Sequence, residues 1–345
     1  MIRSLALLTA ALPLLTSVAP ASAAGPAVPH VPAGVAAGYA VFDRQTGRLT
    51  AHRDVHRRFR SASVVKIMIA IDHLESHRKV PDRDLALLKV MLRVSDDDAA
   101  SAFWDRGGKG KIVERIARRL GLTDTAPPPA DRPGFWGYTS LSALDMVRVY
   151  RYLLDRAEPR VSELILGHLR QAGPCGSDGF DQYFGIPRGV ARPWAVKQGW
   201  SGYGLRPPVR CRPSSPGTPG TPSLPASSAA VPSPAASGRT TAAASGRTTA
   251  AASGRTAGAP APAGPLSGVP VPVAPADAAA PAAPGSAPRV VPDYGRPVLH
   301  TTGLVGPKDR WIIVLLTAYP AGTSWQRSTS QITRLAREVH RSGTA

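Results

Sequence analysis

Between residues 63 and 71 the chain reads SVVKIMIAI, apolar on every side but for one serine and one lysine. A helix that is hydrophobic all round belongs in a core, so residues 63–77 are expected to form a buried helix. Upstream, residues 37–52 alternate apolar and polar positions and break at Gln45-Thr46-Gly47, the pattern of a β-hairpin. Residues 109–120 and 141–154 carry apolar positions at helical spacing and read as amphipathic surface helices. A short strand is expected over 194–199, a second hairpin over 298–305 and 311–317, and a C-terminal helix over 328–341. Strands at both ends of the chain with helices between them predict an α+β three-layer sandwich, an antiparallel sheet flanked by helices.

Two segments break this pattern. Residues 1–23 begin with Arg3, continue as an apolar run of about fifteen residues interrupted by Pro13, and end in Ala21-Ser22-Ala23. That is the form of a secretory signal peptide rather than a membrane span, and no Cys follows it to carry a lipid. A secreted, extracellular protein is expected, with cell-wall association open to it. The second segment, 213–288, has no aromatic residue and one acid, Asp277. Within it ASGRTTAA begins at Ala236, recurs at Ala244 and starts again at Ala252 as ASGRTA. So polar a repeat cannot bury a core and is expected to be disordered. Without these segments about 246 residues remain, enough for one domain over 24–345 that the tract interrupts. Lengthening a six-residue turn to ninety residues costs only about 2.4 kcal/mol of closure entropy, so the tract reads as an insertion between neighbouring strands.

Composition narrows the setting. The formal net charge is +19 with a sequence pI near 10.9, yet no basic run with interleaved aromatics marks a nucleic-acid surface. For an exported chain the charge suits solubility and adhesion to anionic cell-wall polymers. Two cysteines, Cys175 and Cys211, suggest one disulfide in that compartment. It would contribute about 4 kcal/mol in the chain-entropy model; two unpaired thiols in Gly- and Pro-rich stretches are the alternative. No transmembrane span, metal or cofactor is expected, and the protein is read as a monomer.

The lysine among the apolar residues is Lys66, one helical turn after Ser63. Residues i and i+3 share a helix face. An ammonium in an apolar core loses stability relative to the free amine, so such a lysine can act as a base. A base one turn from a hydroxyl can activate serine as a nucleophile. The tetrapeptide alone is weak, because Ser76-His77-Arg78-Lys79 matches S-x-x-K in a charged helix end. An N-capping Ser63 followed by a snorkelling lysine is the structural alternative.

Three further stretches add to it: SDDDAAS from Ser95, leading into Gly107-Gly108 and a helix; TSLSALDM from Thr139; and VKQGW with Lys197 and Gly199. In this order they resemble the S-x-x-K, S-D-N and K-T-G elements of the penicillin-recognising serine enzymes, most closely class A β-lactamases. The resemblance covers nearly all of the chain outside the tract, and implies that family's fold with a reduced helical subdomain. It implies that Ser63 is acylated by a β-lactam or a D-Ala-D-Ala-type peptide amide, with Lys66 as base or relay. Ser95 would protonate the leaving nitrogen and Lys197 would steer the substrate carboxylate, while the Ser63 and Trp200 N–H groups would hold the oxyanion. Asp97, Gln198, Gly199 and Trp200 would contact substrate.

The chain also departs from the pattern. Asp97 stands where that family has Asn, and Gln198 where it has Thr or Ser. The stretch 122–138, LTDTAPPPADRPGFWGY, contains no Glu to activate a deacylating water. Asp131 is the nearest acid by position, although a pairing with Arg132 or solvent describes it better. Acylation with slow release follows, with a D,D-peptidase or a catalytically impaired penicillin- or wall-peptide-binding protein as the alternative. His73 and His77 bracket Glu75 at a spacing that can hold zinc, but no third ligand is evident and they read as a surface helix end. His300 reads as an ordinary strand residue. Phe103, Trp104, Trp194 and Trp311 read as core.

Overall fold

The computed structural model describes residues 28–213 and 292–345, which belong to one compact unit. The expected signal peptide at 1–23, and all of the 213–288 tract but Pro213, lie outside the described residues. The central sheet is antiparallel and has the order β2 (Arg48–Arg53), β1 (Ala36–Asp43), β7 (Trp311–Ala318), β6 (Val298–Val305), β5 (Trp194–Ser201). Both expected hairpins form, and β5 pairs with β6 so that Ser201 stands opposite Val298, although the tract separates them in sequence. The strands at the two chain ends meet as β1 and β7. A second, two-stranded sheet joins β3 (Phe59–Arg60) to β4 (Ser140–Leu141).

Alternation along the strands makes three layers. Ala40, Phe42, Ile312, Val314 and Leu316 face a core shared with helix α1 (Lys66–Ser76) and α5 (Ala143–Asp155). Their neighbours Tyr39, Val41, Ile313 and Leu315 face Ile332, Leu335, Ala336 and Val339 of α8 (Trp325–Thr344). Such two-sided burial explains why β7 reads as a nearly continuous apolar run rather than an alternating one, while β6 buries His300, Thr301 and Thr302 between its apolar ends. The α+β three-layer arrangement is the one the sequence predicts.

Helix α1 is buried along its length down to Leu74, as its apolar composition requires. The remaining helices on that side are α2 (Asp82–Arg93), α3 (Asp97–Arg106), α4 (Gly110–Leu120) and α6 (Pro159–Arg170). Asp96 caps α3 by accepting from the Ala99 N–H, and α4 ends at Gly121 with φ of 64°, the left-handed cap that glycine adopts without strain. The hydrophobic pattern did not single out α2 or α6. Few α2 positions are buried (Asp84, Leu88, Met91 and Leu92), and α6 starts on a proline and contains Gly167. The short helix α7 (Ile186–Gly189) leads towards β5.

One expectation for α1 needs correction. His73 is not on a surface helix end: it is buried against Phe103, its Nε2 3.2 Å from Asp84 Oδ2. The pattern missed this because α2 and α3, which cover that face, were not both in view. Phe103, Trp104 and Trp194 are core residues, and Trp311 packs partly buried against the α8 side.

Candidate active site

Strand β3 delivers the chain into a 3-10 turn, Ala62–Val65, that continues as α1. Ser63 therefore sits at the start of a helix, where backbone N–H groups lack helical partners. The turn is held by the Ser61 N–H donating to Thr139 O at 2.7 Å and by its contact with β5. Gly199 makes that contact possible: a Cβ there would lie 3.1 Å from Ser61 O and 3.2 Å from Ser63 N. The edge strand β5 thus runs directly against the Ser63 backbone. Ala62 and Ser95 have φ of 43° and 59°, left-handed values that non-glycine residues adopt at some cost, often at functional sites.

Lys66 has no exposed surface, and its ammonium has three acceptors. It donates to Ser95 O at 2.5 Å, to Asp97 Oδ1 at 2.5 Å and to Ser95 Oγ at 3.4 Å. The Trp136 ring lies 4.6 Å from its nitrogen. Burial pushes the Lys66 amine below the ordinary lysine range, and the Asp97 carboxylate opposes that shift. Among the described residues Ser63 Oγ has no hydrogen-bond partner, so the lysine one turn away is directed to Ser95 and Asp97 rather than to the hydroxyl.

Lys197, on β5, donates to Ser95 Oγ at 2.7 Å and to Gln198 O at 3.2 Å. Burial pushes its amine well below the ordinary range, and the charge of Lys66 lowers it further. Among the described residues no carboxylate pairs with it. Ser95 Oγ is therefore held between two buried lysines, one with a carboxylate partner and one without.

The cleft above these groups is about 460 Å³ and includes Ser63, Asp97, Phe135, Trp136, Asp178 and Trp200 among its walls. The structure thus brings together Ser63, Lys66, Ser95, Asp97, Lys197, Gly199 and Trp200. Gln198 is the exception and a correction. Successive strand residues point to opposite faces, so with Lys197 facing Ser95, Gln198 faces the α8 side, buried and donating to Phe184 O at 2.5 Å. Lys197 is itself 1% exposed, beneath the cleft rather than in its wall.

Neither acid of the 122–138 stretch enters the cleft. Asp131 is exposed and paired with Arg132 at 3.5 Å. Asp124 accepts from Ser142 Oγ at 2.8 Å and lies 2.9 Å from His56 Nδ1. The stretch instead contributes aromatic rings, Phe135, Trp136 and Tyr138. His300 is buried behind Ser63: its Nδ1 accepts from the Thr317 N–H, so its Nε2–H donates to Arg60 O at 2.8 Å. It braces the strand that enters the serine turn.

Sequence reasoning missed Asp178. It accepts from Trp200 Nε1 at 2.9 Å and from the Phe180 N–H at 3.1 Å. The turn carrying it is tied down by the Cys175–Cys211 disulfide and by the Cys211 N–H donating to Gly179 O. Partial burial raises the Asp178 carboxyl above its usual range, and its two donors oppose that. The cysteine pairing was the one available signal that residues near 178 are fixed in place.

No family model matches the chain. Among curated proteins it is 42% identical over 175 residues to "Putative lipoprotein LppW" of Mycobacterium tuberculosis, covering 48% of this chain and 54% of that protein. The Mycobacterium bovis protein of the same name matches equally. The chain thus spans about half the length of the curated relatives it matches. Among solved structures it is similar to a class A β-lactamase from Mycobacterium abscessus, with a TM-score of 0.51 at 14% identity over 90% of this chain and 95% of that one. PBP-A gives a TM-score of 0.50 at 12% identity over 90% of each chain. A PBP-A variant solved as an acyl-enzyme complex with penicillin G gives 0.50 at 12% identity over 89% and 90%. The fold is that of the β-lactamases and penicillin-recognising serine enzymes.

Proposed function

We propose that the protein is an exported serine acyl-transfer enzyme that forms an acyl-enzyme on Ser63 with β-lactams or peptide amides of the D-Ala-D-Ala type, and releases it slowly. The observation that carries this reading is Ser95 Oγ, held 2.7 Å from Lys197 Nζ and 3.4 Å from Lys66 Nζ at the foot of the Ser63 turn. Ser63 Oγ bonds to the acyl carbon and gives its proton to an unprotonated Lys66. The acyl carbon–nitrogen bond breaks as the leaving nitrogen takes the Ser95 hydroxyl proton, which the now protonated Lys66 replaces. The negative oxygen meets the N–H groups at the Ser63 helix start and on the edge strand at Trp200. Hydrolysis needs a base to activate water, and the two acids of the 122–138 stretch are engaged elsewhere. The acyl-enzyme therefore outlasts its formation.

Intact-mass spectrometry tests this reading with penicillin G and with an uncharged activated ester. Wild type is expected to gain the mass of the acyl group and to retain it after free ligand is removed. The Ser63→Ala variant is expected to gain none; equal adducts on both proteins would refute the assignment.

A second reading is a cleft that holds wall peptide without a covalent step. It is favoured by the Lys66–Asp97 pair, which saturates the base at a distance of 2.5 Å. Ligand-dependent thermal protection with no mass adduct would select it. Export, and the lipoprotein name of the relatives, bear on location only; in this chain the two cysteines are bonded to each other.

A further inference from the structure

The resemblance leads one to expect a cation in the cleft for a substrate carboxylate, and the surface has the opposite character. A ligand meets the exposed groups of the wall, and the cations here are beneath it: Lys66 is 0% and Lys197 1% exposed. The charges on display are carboxylates. Asp97 holds Lys66 through Oδ1, yet 65% of its side chain is exposed. Asp178 has no ion-pair partner among the described residues. Its two donors, Trp200 Nε1 and the Phe180 N–H, are neutral. Arg210 packs by its stem on neighbouring Gly179.

Aromatic rings complete the wall. Trp200 stands beside Asp178 and is fixed against Phe180, Phe184 and Trp325. Phe135 is largely exposed on the other side. Carboxylates together with ring faces attract an ammonium, through charge and through the ring quadrupole, and repel a second carboxylate. Gln198, the neutral amide next to Lys197, faces the other side of the sheet and offers a carboxylate in the cleft no hydrogen bond.

We propose that the Ser63 cleft selects acyl donors bearing an ammonium group and disfavours those bearing a carboxylate, with Asp178 as the specificity-determining residue. This rests on the acyl-transfer reading for its chemistry, but the charge preference belongs to binding and is measurable without reaction. It narrows the substrate class to amino-acid or peptide amides and esters that carry a side-chain or terminal ammonium, and makes β-lactams with a free carboxylate slow acylating agents.

The test uses the full chain with Ser63→Ala, so that no adduct forms. The probes are Nα-acetyl-lysyl-alanine amide with its ε-nitrogen free, acetylated or succinylated, which take the side-chain charge from positive through neutral to negative, the acetylated form controlling for the added acyl group. Calorimetric titration is expected to show the free amine binding at least tenfold more tightly than the succinylated form, with the acetylated form between. Raised salt should narrow that ratio. Adding Asp178→Asn, which keeps an oxygen for Trp200 Nε1, should collapse it below threefold. Equal affinities, no measurable binding of the amine, or a ratio that survives Asp178→Asn would each overturn the proposal. Acylation of wild type by activated esters of the same three probes separates the two readings. A charge preference in binding without any adduct refutes acyl transfer alone, and adducts that form without charge preference refute this proposal alone.

Discussion

Asp97 is the residue on which the chemistry of Lys66 turns. Burial favours the free amine, the form that can accept the Ser63 proton, and Asp97 favours the ammonium. Replacing Asp97 with Asn removes the opposing term, so the Lys66 pKa falls further and the amine is free at lower pH. The acidic limb of the acylation pH profile is therefore expected to move to lower pH, because a close opposite charge had been favouring the charged form. A limb that stays in place would show that Lys66 is not the base. His300 makes a second prediction at this scale. Burial pushes its pKa down to about 4, so between about 6.5 and 4 the unfolded chain binds a proton that the folded chain refuses. Stability is unaffected above that window and falls as pH drops through it, by about 3 kcal/mol in total. His300→Gln can keep both hydrogen bonds without titrating. Unfolding midpoints at pH 7 and 4.5 should therefore lie closer together in that variant than in wild type.

At the scale of elements, the site depends on how closely β5 approaches the turn before α1. A Cβ on Gly199 would meet Ser61 O, Val64 Cγ2 and Ser63 N at 3.1 to 3.2 Å, so strand and turn must part by a few tenths of an ångström. Gly199→Ala is expected to fold with its midpoint little changed and to slow acylation about tenfold or more, because misplacement far below the size of an atom weakens oriented reactions. Second-order acylation rates with one activated ester check this; an unaltered rate would mean that the strand does not hold the oxyanion. The local pattern around α1 was legible because 3.6-residue periodicity alone puts Ser63 and Lys66 on one face. The pairing of Lys66 with Ser95 and Asp97 was not, since these arrive at the start of α3 only after a whole intervening helix, α2, has packed beside α1.

For the molecule as a whole, closing the sheet brings residues far apart in sequence into one cleft. Ser95 and Lys197 are 102 positions apart and hydrogen-bonded; the ordered motifs told which residues these were, but not that Lys197 lies beneath the surface. Because β5 and β6 are paired neighbours, the segment 214–291 is expected to be dispensable for folding. Replacing it with a short Gly/Ser turn should leave acylation intact and the unfolding midpoint unchanged or higher, since a shorter loop costs less entropy to close. Loss of folding in that variant would show that the segment belongs to the domain. Intact-mass measurement of Ser63-dependent adducts reports on the whole assembly at once.

By itself, the sequence determined the two hairpins, the buried helix of Ser63 and Lys66, the helical C-terminus and the order of the motifs. These follow from periodicity, turn residues and composition, all local properties. Tertiary structure decided the rest. It gave Lys66 to Asp97 and Ser95, turned Gln198 to the far face, left the 122–138 acids outside the cleft and brought Asp178 against Trp200. Burial, charge pairing and strand facing depend on which elements pack together, and that information is spread over the whole chain. The sequence marked the serine; the packing set the charge of the cleft around it.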